Sequence, residues 1–183
     1  MTRRGFTIIE LMMVIGIIAV LMGIVISTAS GSIKSARQQK ASAVVKMVQA
    51  GLSTYYAQKG EWPGPVGSRA KSGSMGSLDG GVYTLSASEV RETVKALVEE
   101  SRRGNPVLDI SGLFVSRHEG ERGSHDIGMD FMTAIRGTKK NPKKMKLAEM
   151  NFGVPEKEHG YFRRLTISYQ IATDSMTVGH VKD

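Results

Sequence analysis

The stretch RRGFTIIELMMVIGIIAVLMGIVIS, Arg3 to Ser27, decides how the rest of this chain is read. From Phe6 to Ile26 its only polar side chains are Thr7 and Glu10. A helix of that length covers about 30 Å, the thickness of a bilayer's hydrocarbon core. The segment reads first as a membrane span. A secretory signal is the competing reading, with MTRR as its basic start and Ser27-Thr28-Ala29 as a small-x-small cleavage site. Against it, the apolar core is longer than usual and Glu10 spoils the charge of the basic start. Flanking charge does not orient the segment, because Arg3 and Arg4 before it are balanced by Lys34, Arg37 and Lys40 after it.

Glu10 needs a reason to be there. An acidic side chain at the centre of a span costs about 2.5–3.5 kcal/mol on insertion scales. Residue 10 lies one helical turn beyond residue 6, on the same face. A cut between Gly5 and Phe6 would give Phe6 a cationic amine. That amine could neutralise Glu10 in its own chain or in a neighbouring chain displaced by about a turn. Gly5 suits such a cut, since without a Cβ its backbone can lie close to a protease.

RRGFTIIELMMVIGIIAVLMGI closely resembles the N-terminus of type IV pilins and type II secretion pseudopilins. The resemblance implies a basic leader, residues 1–5 with Arg3 and Arg4, removed after Gly5 by a membrane-embedded prepilin peptidase. It implies methylation of the new Phe6 amine, and Glu10 as the acid that pairs with that amine and guides subunit docking. It also implies an inner-membrane, single-pass protein with its leader in the cytoplasm and its head in the periplasm or outside the cell. Partners would be the peptidase, other pilin or pseudopilin subunits, a membrane assembly platform and membrane lipid. One departure is visible: the mid-helix proline of many members is missing, and Gly16 and Gly23 are the loosening residues instead.

Beyond the span the helical pattern continues. Ile33, Ala36, Val44, Val48, Leu52 and Tyr55 recur mostly at three- and four-residue spacing, while Lys34, Gln38, Lys46 and Gln49 fall elsewhere. No proline comes before Trp62-Pro63, so one helix from Phe6 to about Gln58 is expected. The chain then divides into a leader (1–5), a span or filament-core helix (6–27), an amphipathic continuation (28–59) and a globular head (60–183). The expected class is α+β and pilin-like: a long helix whose apolar stripe is covered by a small antiparallel sheet.

Within the head, Lys59–Gly81 is rich in glycine, serine and proline and reads as an irregular loop, with Trp62 as an aromatic lid on the stripe. Ser86 and Glu89 form a capping box for a helix with Val90, Val94, Leu97 and Val98 on its buried face. Glu92, Glu99 and Glu100 read as a solvated, ion-paired face. Gly112–Ser116 and Lys144–Met150 are weaker strand candidates, with a short helix between them over FMTAIR, ended by Gly137 or Pro142. The clearest strand pair is last. Leu165, Ile167, Tyr169 and Ile171 alternate with polar residues, ATDS turns the chain, and MTVGHV returns.

No site for catalysis is legible, and no cofactor is expected. The chain has no cysteine, which removes disulfides and thiol chemistry. His118, Glu119, His125 and Asp126 match no zinc spacing. The Ala172–Ser175 turn has one carboxylate where calcium wants six to eight oxygens, so no metal is assigned. A net charge of +8 and the run Lys139, Lys140, Lys143, Lys144 and Lys146 admit anion contact, including nucleic acid as in DNA-binding minor pilins. A solvated lysine-rich loop accounts for the run more simply. The expected function is a structural, non-enzymatic subunit of a type II secretion pseudopilus or type IV pilus-like filament. The alternatives are a minor pilin whose basic head binds DNA and a signal-bearing secreted protein.

Overall fold

The computed structural model describes residues 7–71, 81–117, 126–137, 144–155 and 161–180, apart from side chains at 25–34, 37, 70, 71, 126 and 161. The chain divides into two compact units, Met1–Arg37 and Gln38–Asp183. Helix α1, Ile8–Lys59, belongs to both. It ends at Lys59, one residue past the expected position, and Gly60 follows with a φ of 70° that suits a residue without a side chain.

In the first unit the described side chains of Ile8–Ile24 are exposed, including all the large apolar ones. Among the described residues no helix is long and apolar enough to cross a membrane. The described apolar run stops at Ile24, short of the about 20 residues a span needs.

The second unit is an α+β fold. Its elements after α1 are α2 (Pro65–Lys71), β1 (Val82–Thr84), α3 (Ala87–Arg102), β2 (Phe114–Arg117), β3 (Asp126–Ile127), β4 (Met129–Asp130), α4 (Phe131–Arg136), β5 (Met150–Pro155), β6 (Tyr161–Gln170) and β7 (Ser175–His180). The described strands form one seven-stranded antiparallel sheet centred on β6. β7 pairs with β6 from Leu165↔His180 to Gln170↔Ser175, and β1 pairs with it on the opposite side, Tyr83 facing Tyr169. Farther back along β6, β5 takes one side and β3 the other, since Phe162 faces both Pro155 and Asp126. β2 lies between β5 and β4. The short segment of β3 and β4 therefore links β6 back to β2, and the sheet curls onto itself there.

Phe162 fills the curl and is fully buried. Two glycines make room for it. A Cβ on Gly153 would stand 2.5 Å from the Phe162 ring and collide with the Arg163 carbonyl. One on Gly128 would stand 2.5 Å from the Phe114 ring and 2.9 Å from the Phe162 Cβ.

The main core packs helices on the other sheet face. Val44, Val48 and Leu52 of α1 meet Val90, Val94, Leu97 and Val98 of α3, with Phe131, Phe152, Leu165 and Ile167. The expected stripe on α1 is buried at Val44, Val48 and Leu52 and partly buried at Tyr55. Ala36 is exposed, and the Ile33 side chain lies outside the described residues. The expected buried face of α3 is buried in full, and Ser86 and Glu89 form the reciprocal cap.

Five local expectations are corrected. Lys59–Gly81 is not wholly irregular: α2 forms there, started by Pro65, with Val66 buried and Arg69 ion-paired to Glu89. Glu100 is not solvated, because the end of α1 brings Lys59 Nζ to 2.9 Å from it and Asn105 donates to it at 2.7 Å. Ile110–Gly112 is a 3-10 turn, so the strand candidate there begins only at Phe114. Leu147–Glu149 is likewise a 3-10 turn, and the strand runs from Met150 to Pro155. Ile171 leaves the alternation of β6, since the turn at 171–174 carries it outward to 37% exposure. The short helix α4 starts on an Asp130 cap and stops at Gly137, as its composition suggests.

Candidate functional site

The processing residues Gly5 and Phe6 and the leader charges Arg3 and Arg4 lie outside the described residues. Thr7 is the first described residue, and it holds Glu10. Thr7 precedes the first helical residue, and its carbonyl accepts the first intrahelical bond from Leu11 N–H at 3.2 Å. Its backbone N–H donates to Glu10 Oε2 at 2.9 Å, and its hydroxyl donates to the same oxygen at 2.8 Å. The Glu10 N–H donates back to the hydroxyl oxygen at 3.4 Å. This is a reciprocal cap of the kind that starts α3. An N-terminal glutamate is also favoured by the positive end of the helix dipole. The sequence analysis assigned Glu10 no partner in the uncut chain, although Thr-x-x-Glu is itself a capping pattern.

Around this cap the helix offers only apolar surface. Ile8 is 80% exposed, and the exposed run continues through Ile24. A helix apolar on every side has nothing of its own to pack against. Such a surface is completed by lipid or by other helices.

Besides the Lys59–Glu100 pair, three polar ties among the described residues join elements of the head. Asp174, in the β6–β7 turn with φ 44°, accepts from the Tyr56 hydroxyl at 2.5 Å, Trp62 Nε1 at 2.7 Å and the Tyr169 hydroxyl at 2.9 Å. Trp62 stacks on Tyr56 with centroids 4.3 Å apart. The expected aromatic lid is present, and the lone carboxylate of the turn fastens it. The Tyr56 hydroxyl does most to hold Asp174 below the ordinary aspartate value; burial opposes it, and Trp62 and Tyr169 assist. The Tyr169 hydroxyl is pushed up to about 12, by burial first and then by its bond to Asp174 and that residue's charge. In the second tie, Glu89 accepts from Tyr83 at 2.7 Å and pairs with Arg69, joining α2, β1 and α3. In the third, Gln49 of α1 donates to the Met176 carbonyl at 2.7 Å and accepts from Val178 N–H at 2.8 Å.

Lys139, Lys140 and Lys143 lie outside the described residues, and Lys144 and Lys146 are exposed. Of the weighed metal residues, His118, Glu119 and His125 lie outside them too, and Asp126 opens β3. Among the described residues no group of three or more His, Cys, Asp or Glu could hold a metal ion.

The long N-terminal helix and the antiparallel sheet make an α+β architecture that fits a pilin-like fold. Residues 1–26 match the prokaryotic N-terminal methylation motif. The chain thus carries the hallmark of the type IV pilin and pseudopilin family. No curated protein and no solved structure matches it.

Proposed function

We propose that this protein is a structural subunit, cut between Gly5 and Phe6 by a prepilin peptidase, methylated on the Phe6 amine and assembled through its N-terminal helix into a filament. The methylation motif over residues 1–26 carries the reading. The exposed apolar side chains of Ile8–Ile24 support it, since they supply a surface that only lipid or neighbouring helices can cover. Before assembly the helix sits in the inner membrane, a single span continuing past Ile24 to about Ser27, with the head outside the cytoplasm. Assembled, the same surface is the filament core. The filament is a secretion pseudopilus or a type IV pilus-like fibre. The covalent chemistry belongs to the peptidase, and this chain acts by packing rather than by catalysis.

The test is the mass of the N-terminal peptide from native membranes. A peptide starting at methylated Phe6 supports the reading. One starting at Ser30 makes the segment a secretory signal, and an intact Met1 leaves an anchor alone; either overturns it. Replacing Glu10 with valine is expected to leave cleavage intact and cut filament incorporation, read by cross-linking between subunits. Normal incorporation of that variant refutes the role given to Glu10.

A further inference from the structure

We propose that Thr7 is a positioning residue for Glu10: it ties down one carboxylate oxygen and leaves the other presented to a cationic N-terminal amine. The inference rests on the processing reading above, and it starts from an asymmetry in the cap. Both donors from Thr7, the backbone N–H at 2.9 Å and the hydroxyl at 2.8 Å, reach Oε2. Among the described residues Oε1 receives no hydrogen bond. A carboxylate has about four lone-pair sites, so the tied group keeps acceptor capacity for another donor.

Two consequences follow. First, Glu10 has partners before any amine exists. Two hydrogen bonds to one oxygen offset part of the cost of placing a carboxylate among the side chains of Ile8, Ile9, Leu11 and Met12, so the uncut chain can tolerate it. Second, the tie fixes the side chain. A free glutamate samples many rotamers, and an amine pairing with it must bear that loss of freedom; here the cap has already imposed it. Hydrolysis of the Gly5–Phe6 bond consumes one water and leaves Gly5 as a carboxylate and Phe6 as an ammonium. The new ammonium is one residue upstream of the capping N–H in its own chain, and the peptide N–H of Thr7 survives the cut. The cap and the amine therefore use the carboxylate together.

The test uses the full chain with threonine, serine, glycine or valine at position 7. Glycine is the decisive variant, because it starts a helix nearly as well as threonine but has no hydroxyl. Each form is first treated with prepilin peptidase and its N-terminal peptide weighed, and all four are expected to be cut. Subunit incorporation is then measured by cross-linking. Thr7→Ser is expected to match the wild type, while Thr7→Gly and Thr7→Val fall about tenfold. Either change adds nothing further when Glu10 is already valine. In the uncut chain, first-turn amide exchange is expected to quicken about fivefold in Thr7→Val and little in Thr7→Gly, as loss of an N-cap side chain dictates. If Thr7→Gly assembles as the wild type does, Thr7 only starts the helix and the proposal falls. If cleaved wild-type chains assemble but the Thr7→Gly loss persists undiminished in the Glu10→Val background, the hydroxyl acts elsewhere and the proposal again falls. A wild-type chain that the peptidase leaves uncut instead overturns the processing reading, and the amine's part with it.

Discussion

Replacing Asp174 with alanine should loosen the head in a way that its single tryptophan reports directly. The carboxylate serves three donors from separated parts of the chain: Tyr56 on α1, Trp62 beyond the helix end and Tyr169 on β6. Two of those donors belong to buried residues, Trp62 at 8% exposure and Tyr169 at 5%. Each buried donor left without an acceptor costs about 1–3 kcal/mol. The turn itself is open to solvent, so water replaces part of what is lost, and about 2–3 kcal/mol remains for Asp174→Ala. In a domain of this size that lowers the melting temperature by about 5–10 °C. Asp174→Asn keeps one acceptor oxygen and suits the left-handed backbone at φ 44°, so it should cost less than half as much. The assay is thermal unfolding of the full chain in detergent, followed by Trp62 emission, since the chain has one tryptophan. A red shift of the native emission should accompany the lower midpoint. Should Asp174→Ala melt within 1 °C of the wild type with unchanged emission, the three bonds do not hold the lid and the reasoning fails.

Other expectations follow from the same contacts. Gln49→Leu strands the Met176 carbonyl and the Val178 N–H and should cost about 2 kcal/mol, seen as faster exchange of the Val178 amide. Gly153→Ala should fail to give a folded head, because its Cβ meets the Arg163 carbonyl and the Phe162 ring; a variant with a native circular dichroism melt contradicts the curl described for the sheet. Asp174 and Glu89 both titrate below their ordinary values in the folded chain; for Glu89 burial opposes, and Tyr83, Ser86 and Arg69 prevail. Their stabilisation is present above the ordinary carboxylate range near pH 4 and is lost as pH falls through it and below, so the midpoint should drop in acid, less steeply for Asp174→Asn. At the alkaline end Tyr169 stabilises below about pH 10 and the effect disappears as pH rises through about 12. Phenolate absorbance should show its titration moving down in Asp174→Asn.

How much of this was legible depended on how local the cause was. The start of α3 is written in Ser86 and Glu89, within a turn of what they control, and it falls where it should. The β6–β7 hairpin is equally local, an alternation interrupted by four turn residues. Helix α2 was hidden because Gly67 and Ser68 argue for a loop, whereas Val66 and Arg69 are held by partners far along the chain. Glu100 looks solvated in its own helix and is buried because Lys59 arrives from another. Asp174 illustrates the same limit at the level of function. A single acid in a turn argues for little metal affinity, but nothing nearby announces three aromatic donors. Thr7 is the opposite case. Its capping pattern was readable, and the apolar surroundings drew attention to the charge of Glu10 instead.

The Gln49 contact bears on how the heads behave when crowded. The Met176 carbonyl and the Val178 N–H point away from β6 and are satisfied by one side-chain amide, which occupies the place a further strand would take. β1, on the opposite side of β6, is only three residues long. A sheet guarded in this way gives an extended stranger little to add to, so heads held close together have a barrier to fusing through their backbones. Cohesion between copies is then left to side-chain surfaces, which can be separated again without unravelling a shared sheet. A Gln49 variant should therefore be both less stable and stickier, a pairing that loss of stability through the core alone would not single out.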